Sequence, residues 1–242
     1  MRIYCPPEQI SQNKITILEK GQIRHLRDAM RLKAGDSLCV FDGNAREYEC
    51  VIEKIYGDRV ELLIRKIKKT AQAKSPLSIT LACAIPKKAK IEYIIEKAAE
   101  LGVEKIIPLA TDRTVVRIPA ERAQNKLKRW QAIAREASKQ CGRIKLPVIE
   151  TVTSFREAIA RAGDYDLALI PYLGGSKQEV KEVMAGFCGM SVIAFIGPEG
   201  DFSGQEVKLA KDNGCIGVSL GELTLKVDTA AIALAAYLRL GY

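Results

Sequence analysis

From residue 77 onward, short apolar runs alternate with amphipathic stretches, and this alternation constrains the fold more than any other feature of the chain. Residues 77–84, 105–109, 167–170, 191–196 and 215–220 are apolar runs of buried-strand type. Between them lie helical patterns. Residues 90–101 put Ile91, Ile94, Ile95, Ala98 and Leu101 on one face and stop at Gly102. Residues 121–141 predict a long helix. Ser154 with Glu157, and Ser203 with Glu206, have the spacing of a capping box and predict helices ending near Gly163 and Gly214. Residues 228–240 predict a last, alanine-rich helix opened by Asp228 and Thr229. Strands and helices in this order predict a mostly parallel α/β sheet.

The first 70 residues read differently. Residues 37–41 are an apolar run closed by Asp42-Gly43-Asn44, and residues 47–56 and 59–67 flank Gly57-Asp58, a two-residue hairpin signal. Residues 22–32 predict a short helix. Several short strands joined by hairpin turns predict a small barrel. The polar stretch 66–75 before Pro76 is the best linker candidate. The expected division is a β-barrel domain over 1–70, a linker over 71–75 and an α/β domain over 76–242.

Charge divides the chain at a different point, inside the expected α/β domain. The net charge is +9, yet residues 76–147 hold 15 Lys/Arg against 7 Asp/Glu while residues 148–242 hold 8 against 12. A basic portion joined to an acidic one fits a polyanion held by one side, or a basic surface kept for solubility. Seven cysteines are scattered without a Cys-x-x-Cys pair, and there is one histidine, His25. That pattern excludes a disulfide framework and the usual zinc sites, so no metal is expected. No apolar run is long enough for a membrane span. The start, Met1-Arg-Ile-Tyr-Cys-Pro-Pro7, lacks an apolar leader core. The expectation is a cytoplasmic protein.

Two loops could hold a ligand. Ile196-Gly-Pro-Glu-Gly-Asp-Phe-Ser203 carries a buried strand through two glycines into a capped helix. Ser219-Leu-Gly-Glu-Leu-Thr-Leu-Lys-Val-Asp-Thr-Ala230 repeats the plan around Gly221. Loops at strand ends bind ligands in open α/β sheets, though a tight turn without a ligand would look the same. Main-chain groups here could read an adenine, with Leu223 and Leu225 as an apolar wall. Neither loop fits a dinucleotide or phosphate-loop motif. A third feature is the basic stretch 113–145, with ten Lys/Arg against two glutamates besides inward Leu127, Ile133, Ala134 and Ala137. Its basic face would contact phosphates without reading sequence. Arg24, Arg27 and Arg31 around His25, together with Arg113, Arg129 and Arg143, are the candidate RNA contacts. Trp130 reads as core rather than as a stacking platform.

Taken together, these segments resemble the RsmE family, SPOUT-type methyltransferases that modify uridine N3 in 16S ribosomal RNA. The resemblance runs through HLRDAMRLKAGD at 25–36, VFDG at 40–43, EKAAELGV at 96–103, IPL at 107–109, KLKRW at 126–130, QCGR at 140–143, GPEG at 197–200 and Leu220-Gly221. It implies a PUA-like barrel followed by a SPOUT-type parallel sheet with a trefoil knot, and a homodimer. The implied cofactor is S-adenosylmethionine, bound by Ile170, Pro171, Ile196, Gly197, Pro198, Gly200, Leu220, Gly221, Leu223, Leu225 and Thr229. The implied substrate is the 16S rRNA of the small ribosomal subunit. A uracil N3 must lose its proton to attack, so the site needs a base or a positive charge. Lys226 and Arg143 are the expected anion-stabilising or phosphate-contacting residues. Glu199 is the candidate base or, by preference, a loop-holding side chain. The family commonly has arginines where this chain has Leu223 and Lys226, glutamate where it has Asp228, glycine where it has Asp201 and an acidic residue where it has Lys139. Alternatives are a related SPOUT enzyme with another RNA target, a ribosome-associated RNA-binding protein without catalysis, and a nucleotide-binding metabolic enzyme.

Overall fold

The computed structural model describes residues 1–68 and 77–241. They form two compact units: one runs from Met1 and takes in Ser138–Leu146, and the other holds the remaining residues up to Ala137 and from Pro147 on. The expected linker at 71–75 lies outside the described residues, and residues 66–68 of the polar stretch still belong to a strand.

In the first unit, strands β1 (Arg2–Tyr4), β2 (Lys14–Ile17), β3 (Ser37–Phe41), β4 (Glu47–Ile55) and β5 (Val60–Lys68) make a five-stranded sheet in the order β1-β3-β4-β5-β2. All pairings are antiparallel except β1 with β3. Gly57-Asp58 makes the predicted hairpin, with Tyr56 N donating to Arg59 O at 2.8 Å. Alternate residues face one core that includes Ile3, Ile15, Ile17, Leu38, Val40, Cys50, Ile52 and Leu62. The predicted helix over 22–32 begins earlier, as α1 (Lys20–Arg24), and His25–Ala29 widens into a single π-type turn. Ser138–Leu146 is bound to β1: the Arg2 guanidinium donates to the carbonyls of Ser138, Lys139 and Arg143 at 2.7–3.2 Å.

The second unit contains β6 (Ser78–Ala84), α2 (Lys90–Glu100), β7 (Lys105–Ala110), most of α3 (Ala120–Cys141), β8 (Val148–Ile149), β9 (Thr153–Ser154), α4 (Phe155–Ile159), β10 (Leu167–Pro171), β11 (Gln178–Glu179), α5 (Val180–Ala185), β12 (Ser191–Ile196), α6 (Gly204–Asp212), β13 (Ile216–Ser219) and α7 (Val227–Leu240). Its sheet runs β11-β13-β10-β12-β6-β7-β8, with β9 also on β7, and every pairing is parallel. Both faces are covered, as an all-parallel sheet requires. Leu81, Cys83, Val192, Ala194, Ile196 and Leu169 face a core with α2, α3 and α7, while Ala82, Ile193, Phe195 and Ile170 face a second core with α4 and α6. The predicted capping boxes form at Ser154/Glu157 and Ser203/Glu206. Helix α7 differs from expectation. Its cap is Lys226, without a side-chain bond, and Asp228 lies in the first turn, bonded elsewhere. Trp130 is core at 1% exposure. Among the described residues no helix is long and apolar enough to cross a membrane, and no group of His, Cys, Asp and Glu could hold a metal.

Candidate functional site

The carboxyl ends of β10, β12 and β13, with the loop after β6, surround a cavity of about 470 Å³. That is the size of a small-molecule site, at the sheet end where α/β folds bind ligands. The loops after β12 and β13 are not on adjacent strands, because β10 lies between them. All three loops line the cavity.

Most expected cofactor residues meet there. Pro171, Ile196, Gly197, Pro198, Leu220, Gly221, Leu223 and Leu225 line the cavity, as do Glu199 and Lys226. Leu223 is 80% exposed and forms part of the rim, whereas Leu225 is half-buried. Gly221 has φ +114°, a conformation that a residue with a Cβ rarely adopts. Three expected residues are elsewhere. The Ile170 side chain is buried in the core under α4 and α6. Thr229 is exposed on α7 and Gly200 faces Arg113, and neither is among the lining residues.

The expected catalytic residues are divided between the two units. The Lys226 ammonium is exposed at the cavity and makes no ion pair among the described residues. Glu199 Oε1 accepts from the Lys87 amide at 2.9 Å, which ties the loop after β12 to the loop after β6. Arg143 belongs to the first unit, is buried, donates from Nε to the Lys145 carbonyl at 2.5 Å and is not among the lining residues.

Of the expected RNA contacts, Arg24, Arg27 and Arg31 are exposed on the first unit, with Arg27 paired to its neighbour Asp28. In the second unit Arg129 pairs with Glu92, and Arg113 donates to the Gly200 carbonyl at 2.7 Å.

The sequence reading missed Lys87, Lys88, Lys90, Tyr172 and Lys177, which line the cavity together with Asp201 and Asp228, the two positions noted as departures from the family pattern. Lys90 Nζ donates to both oxygens of Asp228 at 2.8 and 3.0 Å. This bond holds the Asp228 carboxyl below the usual range against the opposing effect of burial. Lys88 and Ala89 both have left-handed φ, +58° and +55°. Strain in successive residues is a recurrent mark of functional loops. The glycine expected in place of Asp201 has a plain reason, since Asp201 has φ +60°.

An all-parallel sheet with glycine-edged loops around a ligand-sized cavity at its strand ends defines a cofactor-binding α/β enzyme. Residues 73–239 match the RNA methyltransferase domain family, and residues 18–65 match the RNA methyltransferase PUA domain family. The ribosomal RNA small subunit methyltransferase E of Bacillus subtilis is 29% identical, covering 95% of this chain and 91% of that protein. The Synechocystis protein of the same name is 32% identical, covering 97% of this chain and 76% of that protein. A Legionella pneumophila methyltransferase solved with bound SAM has a TM-score of 0.87 at 30% identity, covering 99% and 97% of the two chains. The small subunit methyltransferase E of Neisseria gonorrhoeae, solved with S-adenosyl methionine, has a TM-score of 0.86 at 27% identity, covering 100% and 97%. The chain belongs to the ribosomal RNA small subunit methyltransferase E family, with an RNA methyltransferase domain following a PUA domain.

Proposed function

We propose that this protein methylates N3 of a uridine in the 16S rRNA of the small ribosomal subunit, with S-adenosylmethionine as donor. The observation that carries the reading is the end-to-end likeness to a SAM-bound methyltransferase, in a chain whose own strand ends enclose a ligand-sized cavity. The cavity residues suit the cofactor. Ile196, Leu220 and Leu225 give an apolar wall, the glycine-edged loops give main-chain donors and acceptors, and Glu199 gives negative charge for a cationic ligand.

S-adenosylmethionine supplies an electrophilic methyl group. The protein's part is to align the base and stabilise charge. Lys226, exposed at the cavity, favours the deprotonated uracil through its positive charge. Glu199 holds the loop through the Lys87 amide. Arg24, Arg27 and Arg31, exposed on the first unit, and Arg113 and Arg129 of the second contact RNA phosphates. The target base must leave its stack to react, and an RNA loop or junction makes that least costly.

In this reading the sheet domain closes a trefoil knot and the protein works in the cytoplasm as a homodimer. Exposed Tyr93 of α2, and exposed Tyr237 and Leu240 of α7, support self-association, since these two helices pack together. Labelled S-adenosylmethionine with unmodified small subunits, followed by nucleoside mass spectrometry, tests the activity. N3-methyluridine is expected. A different methylated nucleoside would move the target, which the exchange of arginines for Leu223 and Lys226 makes the second reading.

A further inference from the structure

The loop after β12 is tied to three neighbouring loops. Glu199 Oε1 accepts from Lys87 N, Arg113 Nη1 donates to Gly200 O, and Asp201 Oδ2 accepts from Leu173 N at 2.8 Å. The partners follow β6, β7 and β10 respectively. Asp201 makes its bond from a left-handed backbone, where a side chain is disfavoured and Asp and Asn are the better-tolerated exceptions. Its own amide donates to the Pro198 carbonyl at 3.0 Å, so the residue closes a tight turn while reaching across to the next loop.

On the far side, the segment 172–177 holds its own shape. Tyr172 Oη donates to the Ser176 carbonyl at 2.7 Å, and Lys177 Nζ donates to the carbonyls of Tyr172 and Leu173 at 3.0 and 2.8 Å. These bonds are internal to the segment. Beyond the β ladder and among the described residues, the hydrogen bond that joins it to the loop after β12 is the one from Leu173 to Asp201. Tyr172, Leu173, Lys177 and Asp201 all line the cavity.

The geometry points to Asp201 as a positioning residue for the methyl donor: its carboxylate latches the 172–177 segment in place as a wall of the cavity, and it does so as a hydrogen-bond acceptor rather than as a charge. The left-handed turn directs a short side chain at a main-chain amide, a task for which asparagine also supplies the acceptor. The inference deepens the proposed function and relies on it for the identity of the ligand.

The test compares wild type, Asp201→Asn and Asp201→Gly by calorimetric titration with S-adenosylmethionine, and by hydrogen exchange of the Leu173 amide without ligand. Asp201→Asn should bind within roughly threefold of wild type and keep Leu173 protected. Asp201→Gly should bind roughly tenfold more weakly, with Leu173 exchanging roughly tenfold faster, the size of effect expected for one lost hydrogen bond. Its turnover at saturating donor should be retained while KM for the donor rises. Its melting temperature should stay within about 4 °C, because relief of the left-handed strain offsets the lost bond. Asp201→Asn binding as weakly as Asp201→Gly would overturn the inference in favour of a direct charge contact. Unchanged binding by Asp201→Gly would overturn it outright. Failure of the wild type to bind would instead strike the proposed function, and the Leu173 exchange rates would still decide whether the latch exists.

Discussion

Replacing Glu199 by glutamine separates two roles that one carboxylate could play. In the structure Oε1 accepts from the Lys87 amide at 2.9 Å, and the side chain is exposed. Glutamine keeps an acceptor at the same reach and removes the negative charge. A charged acceptor is stronger than a neutral one by about 1 kcal/mol, and solvent exposure reduces that difference. The loop-holding role therefore predicts a loss of turnover of about fivefold or less. A general base would behave otherwise, because glutamine cannot take a proton, and loss of such a group costs about 10²–10⁴ in rate. The assay is single-turnover transfer from labelled S-adenosylmethionine to small subunits at saturating cofactor, with donor affinity measured separately. Glu199→Ala, which removes the acceptor as well, should be worse than Glu199→Gln. A hundredfold or greater loss in Glu199→Gln with donor affinity intact would refute the structural role and make Glu199 the base.

Other consequences can be measured directly. A Cβ on Gly217 would lie 2.6 Å from the Tyr172 ring, so Gly217→Ala should displace that ring and destabilise by about 1–3 kcal/mol, read as a fall in Tm of about 2–12 °C. The Asp228 carboxyl is held low by Lys90, so the stabilisation from that pair should be complete above the ordinary carboxylate value of about 3.9 and fade as pH falls through the lower folded value. Wild type and Asp228→Asn should therefore differ in stability at pH 6 and converge in acid. Burial pushes the Cys5, Cys50 and Cys215 thiols up to about 12, while Cys141 and Cys188 are exposed. A thiol reagent at pH 8 should label Cys141 and Cys188 rapidly and the buried cysteines only on unfolding. RNA affinity should fall with rising salt, and Arg24→Ala should lessen the slope of log K against log salt by about 1.

The sheet core was legible because parallel strands covered on both faces must be continuously apolar. Residues 191–196 are observed with the predicted bounds, and the runs over 77–84, 105–109 and 167–170 lie within a residue of theirs. The capping boxes were legible for a related reason, since both halves of each motif lie within four residues of chain. The short strands β1, β8, β9 and β11 carry too few residues to show a period. That Ser138–Leu146 is bound to β1 has no local signal either. Arg2 reaches carbonyls more than 130 positions away, and carbonyls carry no sequence identity.

The same limit governs the site. Glycine-ended strands announced the loops after β12 and β13 because close backbone approach selects a residue type. The loop after β6 carries no such mark, and the Gly174-Gly175 pair after β10 stands three residues beyond its strand; both loops enter the cavity because β6 and β10 flank β12 in the sheet. Strand order is a property of crossovers rather than of any single segment, which is why Lys87, Lys90, Tyr172 and Lys177 went unseen. Asp228 shows a further failure. Aspartate near a helix start is commonly a cap, and that local rule was outcompeted by a lysine 138 positions earlier in the chain. Local rules predicted the segments, and the contacts that shape the cavity follow from the order in which those segments pair.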